Sequence, residues 1–159
     1  MDQEGLIALH NEITFIKGNE ALLGDVRELW EELNRLHLDK SVKFKQYYRD
    51  FTFQSRKESL IKYIEKGSLF IIIAYHDNIK IGFCIAGVID NEGELESIYI
   101  KSDYRRDHIG DVLMRESLDW IKSFGVEKTV IKVSAGNEEA FGFYAKYGFT
   151  PWNTELRPV

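Results

Sequence analysis

The amino-acid sequence predicts an α/β fold, a mixed and mostly antiparallel sheet of six to seven strands flanked by about four helices. Its centre is a meander of β-rich runs at residues 69–75, 79–89 and 95–100. Asp77 and Asn78 join the first two runs, which is a hairpin signal. On both sides of the meander, apolar residues recur every three or four positions, as in amphipathic helices. The predicted order is therefore strand, helix, helix, three strands, helix, strand, helix, strand.

The N-terminal third is predicted to hold one strand and two helices. Apolar residues alternate over 13–16, which indicates a strand. Asn19 and Glu20 open the first helix, which ends near Leu38, and the second helix stops at Gly67. The apolar positions are Leu22, Val26, Leu29, Trp30 and Leu33 in the first helix, and Leu60, Ile61 and Ile64 in the second.

Two helices and two strands are predicted in the part that follows the meander. A long helix closes near Gly125, and residues 129–133 form a strand. Asn137 opens the last helix with two glutamates in its first turn, where negative charge suits the helix dipole. Gly148 ends this helix, because glycine readily adopts the left-handed conformation that follows a helix, and a final strand is predicted from Phe149 onward.

Length and composition favour one globular domain. With 159 residues, of which 44% are hydrophobic and 30% charged, the chain can bury a core, and we assign residues 11–159 to a single domain preceded by an extension at 1–10. The longest apolar run, 69–75, is too short to span a bilayer, and the first residues lack the basic start of a signal peptide. We therefore expect a cytoplasmic protein without a membrane partner.

Charge and metal-ligand patterns narrow the function further. Cys84 is the single cysteine, so no internal disulfide can form, and it reads as a core residue rather than a nucleophile. The four histidines, at 10, 37, 76 and 108, show no metal-ligand spacing, so we predict no metal. The net charge of −5 argues against general nucleic-acid binding and mildly favours a cationic small molecule.

The most informative segment is Tyr104 to Leu113, which places two arginines at a strand-to-helix turn. The first turn of a helix leaves backbone N–H groups unpartnered and carries partial positive charge, so it can hold a phosphate. Asp107 and Asp111 cancel the arginine charges, so such a phosphate would depend on N–H geometry. The alternative is a surface turn in which Asp107 caps the helix.

Two motifs resemble the GNAT superfamily of acyl-CoA-dependent N-acetyltransferases, and the resemblance extends from about Ile13 to the end of the chain. Residues 94–110, ELESIYIKSDYRRDHIG, look like the family's fourth strand and its Arg/Gln-x-x-Gly-x-Gly/Ala pyrophosphate loop. Residues 137–149, NEEAFGFYAKYGF, are similar to the signature Asn-x-x-Ala-x-x-Phe-Tyr-x-x-x-Gly-Phe. In this chain His108 replaces the first glycine of the loop, while Gly110 is retained.

The resemblance implies acetyl-CoA as the cofactor and a set of residues that bind it. The loop would wrap the pyrophosphate, mostly with backbone N–H groups, and the fourth strand would pair with the pantetheine arm. Asn137 would contact the pantetheine or cap its own helix. Lys146 would reach the ribose phosphate or remain a solvated helix lysine. The loop residues are Arg105, Arg106, Asp107, His108, Ile109, Gly110 and Asp111, and the strand residues are Ile98, Tyr99 and Ile100.

The resemblance also implies a proton acceptor and a proton donor for acyl transfer to an amine. An alkylamine has a pKa of about 10, so its proton must be removed before it attacks a thioester. Glu94 matches the position where some family members place this base. Glu96 has the same strand parity, so both carboxylates are expected on one face of the strand. The alternative is that both are ordinary surface carboxylates without a catalytic role. Tyr144 matches the family's general acid, which would bind the cofactor by a hydrogen bond to its sulfur and protonate the departing thiolate. Core packing is the alternative.

The function predicted from these features is acetyl transfer from acetyl-CoA to a primary amine of a small molecule or peptide, by direct attack in a ternary complex. The acceptor pocket would lie between the two N-terminal helices, although their aromatic residues could instead pack against the sheet. Its candidate lining residues are His37, Phe44, Tyr47 and Tyr48. The alternative function is a non-catalytic acyl-CoA-binding or sensory module. A homodimer would be possible if the predicted strand 151–159 paired across a two-fold axis.

Overall fold

The computed structural model describes residues 12–159, which form one five-stranded sheet and five α-helices. The strands are β1 (Ile13–Gly18), β2 (Ser68–His76), β3 (Ile79–Ile89), β4 (Glu92–Ile100) and β5 (Lys128–Ile131). The helices are α1 (Arg27–Lys40), α2 (Lys45–Asp50), α3 (Phe53–Lys66), α4 (Ile109–Lys122) and α5 (Ala140–Ala145). Short 3-10 turns cover Glu20–Val26 and Ser102–Tyr104.

The sheet follows chain order, β1-β2-β3-β4-β5. The first four strands are antiparallel neighbours, and β5 joins β4 in the parallel direction. Asp77 adopts a positive φ of 54° in the β2–β3 turn, and Asp90 and Asn91 do so in the β3–β4 turn, as tight hairpins require. The predicted meander is therefore confirmed.

Both faces of the central strands are covered, which is why β2 and β3 are almost continuously apolar. On one face, α1 and α3 pack Trp30 and Leu60 against Ile71 and its neighbours. On the other, Leu113 of α4 packs against Ile72. Burying each such side chain contributes roughly 2 kcal/mol to folding before entropy is subtracted. The two clusters hold the sheet between two layers of helices. Because both faces are covered, a functional site is expected at the edge of the sheet.

The fold class is confirmed, but the sheet has five strands where six to seven were predicted. The missing strand is the one expected from Phe149 onward, because residues 149–159 form no regular structure. Pro151 and Pro158 lack the N–H donor that a ladder needs, and the side chain of Trp152 is 94% exposed. Residues 151–159 form no strand in this structure, and the two-fold pairing predicted for them stays a prediction.

The helices differ from prediction at three places, the first of which is α2 (Lys45–Asp50), a fifth helix where about four were predicted. Asn19 begins a 3-10 turn by accepting a hydrogen bond from the Ala21 amide at 3.0 Å, and α1 starts only at Arg27. Asn137 precedes the last helix by three residues, and Ala140 is the first residue of α5. The predicted extension at 1–10 lies outside the described residues.

The described residues, 12–159, contain neither a candidate membrane span nor a candidate metal-binding cluster. No helix in that range is long and apolar enough to cross a membrane. The same range holds no cluster of three or more His, Cys, Asp or Glu side chains that could bind a metal ion.

Candidate active site

The site is built around the free edge of β4. Among the described strands, β5 is the partner on this side, and it pairs with β4 only over residues 92–95. Backbone groups of successive strand residues point to opposite sides. The Lys101 amide donates to the Ile81 carbonyl at 2.8 Å, on the β3 side. The backbone groups of Ile98 and Ile100, which have the opposite parity, therefore face the free edge.

The loop after β4 brings the N-terminus of α4 beside this edge. The first helical hydrogen bond runs from the Val112 amide to the His108 carbonyl at 3.3 Å. The amides of Ile109 and Gly110 consequently have no intrahelical partner and can hold an anion. A Cβ on Gly110 would lie 3.0 Å from the δ carbon of Ile100, so glycine lets the helix approach the strand.

His108 occupies the position where the resembling loop has glycine, and its backbone has the conformation that glycine favours. Its φ of 59° and ψ of 14° are left-handed, and its side chain makes no capping hydrogen bond. Arg106, Asp107 and His108 are all exposed. The histidine thus preserves the turn of the loop despite its Cβ, at a cost of about 1 kcal/mol in backbone strain.

Arg105 lies along the strand instead of projecting from the loop. Its Nε donates to the Ile100 carbonyl at 2.9 Å, and its guanidinium lies 5.7 Å from the ring centre of Tyr99. Burial and then Glu32 raise the pKa of Tyr99. A strand-like ligand that pairs with the Ile100 carbonyl must replace the Arg105 hydrogen bond.

Asp111 joins α4 to the segment that follows α5. Its carboxylate accepts hydrogen bonds from Arg115 Nε and from the Tyr147 hydroxyl, each at 2.8 Å. These bonds lower the pKa of Asp111, with the Tyr147 hydroxyl as the largest cause. The side chain of Asp111 therefore fixes α5 relative to α4, and only its backbone amide is available to a phosphate.

Tyr144 of α5 packs with Ile98 against the cluster beneath α4. Burial, followed by the neighbouring Cys84, raises the pKa of Tyr144 to about 12. Because Cys84 is the cross-strand partner of Ile98, Tyr144 lies near the level at which Ile98 faces the free edge. Its hydroxyl has no hydrogen-bond partner among the described residues, so its O–H group is available to donate to a ligand.

Glu94 and Glu96 lie together on the α3 side of β4. Only 11% of the Glu94 side chain and 8% of the Glu96 side chain are exposed. Lys132, just after β5, contacts Glu94 at 3.1 Å, and Arg56 of α3 lies 3.7 Å from a carboxylate oxygen of Glu96. The two carboxyl groups are close enough to share a proton.

The surroundings shift the pKa values of Glu94 and Glu96 in opposite directions. Burial and the hydrogen bond with Glu94 raise the pKa of Glu96 to about 7, against the opposing charge of Arg56. Burial also disfavours ionised Glu94, but its hydrogen bonds with Glu96 and Lys132 lower its pKa overall. The pair therefore titrates as a unit in which Glu96 carries the proton that is lost near neutrality.

Asn137 is held by a hydrogen bond within the protein, whereas Lys146 is exposed to solvent. The Asn137 side-chain oxygen accepts from Lys40 Nζ at 2.9 Å, so it does not cap α5, and the capping role predicted for it is wrong. Lys40 also pairs with Glu139, which ties the end of α1 to the loop before α5. Lys146 is exposed just after α5.

Three of the four predicted acceptor-lining residues form one aromatic group. The rings of His37 and Tyr48 stack at 5.7 Å, and Tyr47 meets Tyr48 edge-on at 5.1 Å. Burial, then the charges of Lys40 and Arg56, lower the pKa of His37, which favours the neutral ring. Phe44 is half-buried at the start of α2 and takes part in none of these ring pairs.

Sequence reasoning did not identify Arg56, Ser97 or Lys132. For Arg56 a signal was present, because it lies three residues after Phe53 and four before Leu60, on the buried stripe of α3. A charged residue on such a stripe needs a partner inside the protein. Ser97 and Lys132 carry no comparable signal, because their importance depends on which elements become neighbours.

Comparison with known proteins identifies the family. The model of the acetyltransferase (GNAT) family matches residues 27–149. The spermidine N(1)-acetyltransferase of Thermoplasma acidophilum is 30% identical over 103 residues, which cover 62% of this chain and 64% of that protein. The aligned part is thus slightly less than two thirds of that relative.

Solved structures agree on the fold. The PaiA N-acetyltransferase from Thermoplasma acidophilum, in complex with coenzyme A, superposes with a TM-score of 0.71 at 22% identity, covering 91% of this chain and 93% of that one. A GCN5-related N-acetyltransferase from Ralstonia eutropha superposes with a TM-score of 0.73 at 16% identity, covering 93% and 99%. The family expected from the two sequence motifs is confirmed. The chain belongs to the acetyltransferase (GNAT) family.

Proposed function

We propose that residues 11–159 act as a single acetyl-CoA-dependent domain that acetylates a primary amine of a small molecule or peptide by direct attack. The observation that carries this proposal is the free edge of β4 at Ile98. Tyr144 approaches that edge from the α4 face, and Glu96 lies two residues earlier on the α3 face. A proton donor and a proton acceptor thus flank one stretch of unpaired strand.

The residues around this edge fit coenzyme A. The unpartnered amides of Ile109 and Gly110 suit a pyrophosphate, and the backbone groups of Ile98 suit the amide groups of a pantetheine arm. When bound, acetyl-CoA supplies the acetyl group as a thioester. The strand edge, the loop and α5 would align that thioester between the carboxylate pair and Tyr144.

Removal of a proton from the acceptor is the first task of the protein. A primary amine with a pKa of about 10 arrives as an ammonium ion. Ionised Glu94 and Glu96 would hold this cation, and Glu96, whose pKa is about 7, would accept its proton. The neutral nitrogen then attacks the thioester carbonyl.

Tyr144 would complete the proton balance. The new C–N bond forms as the C–S bond breaks, and the electron pair of that bond leaves on sulfur. The phenol of Tyr144, whose raised pKa keeps it protonated at neutral pH, donates its proton to the thiolate. The nitrogen loses its second proton to solvent as the amide forms, Glu96 releases the first proton, and Tyr144 regains one. One proton is thus released per turnover and the enzyme is restored.

The acceptor is proposed to approach along the α1–α2 side. His37, Tyr47 and Tyr48 form an aromatic group there, and the Nδ1 atom of His37 is buried without a partner among the described residues. The relative named for spermidine supports a small amine. Aromatic rings and a neutral imidazole suit the alkyl part of such a molecule, while the carboxylates suit its ammonium group.

The test is to replace Glu96 with Gln and to measure kcat/KM against pH with a panel of primary amines. Below pH 7 Glu96 holds a proton and cannot accept another, so the wild-type rate should fall as pH falls through about 7. Glu96→Gln should lose this acid limb and about 10²-fold or more in rate. Calorimetry should show unchanged coenzyme A binding.

Two results would contradict the proposal. If Glu96→Gln kept the wild-type rate and pH profile, the proton would have to leave by another route. If the wild-type protein bound acetyl-CoA but acetylated none of the amines, the non-catalytic acyl-CoA-binding module would be the better account.

A further inference from the structure

Arg56 is an unusual residue for the buried side of a helix. It lies on the apolar stripe of α3, and only 12% of its side chain is exposed. Removing a guanidinium from water is costly unless hydrogen bonds compensate for it. Nη2 donates to the Glu96 carbonyl at 2.9 Å and to the Ser97 hydroxyl at 2.6 Å. Nη1 lies 3.7 Å from the Glu96 carboxylate.

These contacts fall on an irregularity of β4. Opposite Ile85 and Ala86 of β3, the register jumps from Ser97 to Leu95, so Glu96 has no cross-strand partner. A β-bulge of this kind re-aims side chains and leaves a backbone group unpaired. Arg56 satisfies the Glu96 carbonyl and faces the carboxylate of the same residue. One guanidinium therefore holds both the backbone and the side chain of Glu96.

We propose that Arg56 is a positioning residue for Glu96, fixing the bulge that directs this carboxylate toward the free edge and compensating its negative charge. The inference rests on the proposed function, in which Glu96 accepts the proton of the amine. Arg56 need not touch either substrate to act in this way.

Other charged and titratable groups face Glu96, and Arg56 has the strongest favourable effect among them. Glu94 on the same strand raises the pKa of Glu96, whereas Arg56 and then Lys62 lower it. Lys62 is exposed and lies over the Tyr63 ring at 5.0 Å. Tyr63 on α3 and Lys132, which pairs with Glu94 after β5, also interact with the charge of Glu96. His37 on α1 is influenced by the charge of Arg56.

The experiment is a kcat/KM pH profile for Arg56→Gln and Arg56→Lys, with Lys66→Gln as the charge-matched control on an exposed position of α3. Removing the positive charge from Arg56 should move the acid limb upward by about one pH unit or more. Arg56→Lys keeps the charge but cannot contact the carbonyl and the carboxylate of Glu96 together. The acid limb of its pH profile should therefore move less than that of Arg56→Gln, while kcat falls. Lys66→Gln should leave the limb in place.

Ser97→Ala provides a second test if Arg56→Gln does not fold, as judged by circular dichroism and coenzyme A binding. It removes one partner of Arg56 but leaves the charge, so kcat should fall several-fold without a shift of the limb. An unmoved limb in folded Arg56→Gln, or wild-type kcat in Ser97→Ala, would overturn the inference.

Glu96→Gln, measured beside these variants, distinguishes a failure of the role of Arg56 from a failure of the role of Glu96. If Glu96→Gln loses the acid limb while Arg56→Gln keeps it in place, the role of Arg56 is wrong and that of Glu96 stands. If Glu96→Gln retains the limb, the assignment of Glu96 fails, and the role of Arg56 fails with it.

Discussion

Replacing His108 by Ala and by Gly should invert the usual order of stability of these two residues. Both variants lose the imidazole, so the comparison isolates the backbone. At φ 59° the Cβ of alanine strains the left-handed turn by roughly 1–2 kcal/mol, and glycine avoids this strain. Glycine loses about 0.5–1 kcal/mol more backbone entropy on folding. The net expectation is that His108→Gly is more stable than His108→Ala by roughly 0.5–1 kcal/mol.

A matched pair in the same helix supplies the control. Asp119 is exposed in the interior of α4, where alanine should exceed glycine by about 1 kcal/mol. The Ala-to-Gly difference should therefore change sign between positions 108 and 119, and the two differences should be about 2 kcal/mol apart. For a chain of this length, each kcal/mol corresponds to roughly 2–4 °C in Tm.

The assay is urea unfolding followed by circular dichroism without coenzyme A, with equal m values as the check on two-state behaviour. If His108→Ala were as stable as His108→Gly, or more so, the loop would not hold the left-handed turn, and its similarity to a glycine loop would be lost. Calorimetry with coenzyme A extends the test to function. His108→Gly should bind at least as tightly as His108→Ala, because no Cβ stands beside the phosphate site.

Two further predictions concern the last helix and the loop that precedes it. Tyr144→Phe should lower kcat by about 10-fold or more while coenzyme A binding stays unchanged, because the phenol acts on the departing thiolate; an unchanged kcat across pH would refute the general-acid role. Gly136→Ala should destabilise the protein by more than about 1 kcal/mol, since φ is 99° and the new Cβ would lie 2.3 Å from the Lys40 carbonyl oxygen. Gly142→Ala, with nothing within 4 Å, is its control and should be neutral or stabilising in urea unfolding.

The sequence predicted those parts of the fold in which local signals and burial agree. The β2–β3 hairpin was readable because Asp77 and Asn78 separate two apolar runs, and the structure has the positive φ that this turn requires. The C-terminal strand failed for the opposite reason. A strand was expected after the helix that Gly148 ends, but a strand needs a partner edge, and pairing is not a local property.

The site divides in a similar way. The residues proposed as proton donor and proton acceptor, Tyr144 and the Glu94–Glu96 pair, were visible as members of motifs. Arg56 was not, because its role follows from α3 packing against the bulge of β4. Asn137 was expected to cap its helix or to contact the pantetheine, yet its side-chain oxygen accepts a hydrogen bond from Lys40, which is 97 positions away in sequence. For such residues, contacts with partners distant in the sequence decide a role that motif spacing alone does not determine.

The position of Cys84 bears on whether acyl transfer is direct. A two-step route would need a nucleophile able to carry the acetyl group, and the one thiol of the chain is Cys84. This thiol is completely buried, and burial raises its pKa to about 12, so the thiolate is scarce at neutral pH. It also points into the α4-side cluster, whereas the carboxylate pair lies on the other face of the sheet. An acetyl group on Cys84 would have to cross the packed strand to meet an amine held at Glu96. Direct attack across the free edge of β4 needs no such movement, which is why steady-state kinetics should show a ternary complex with intersecting double-reciprocal lines, and parallel lines would contradict it.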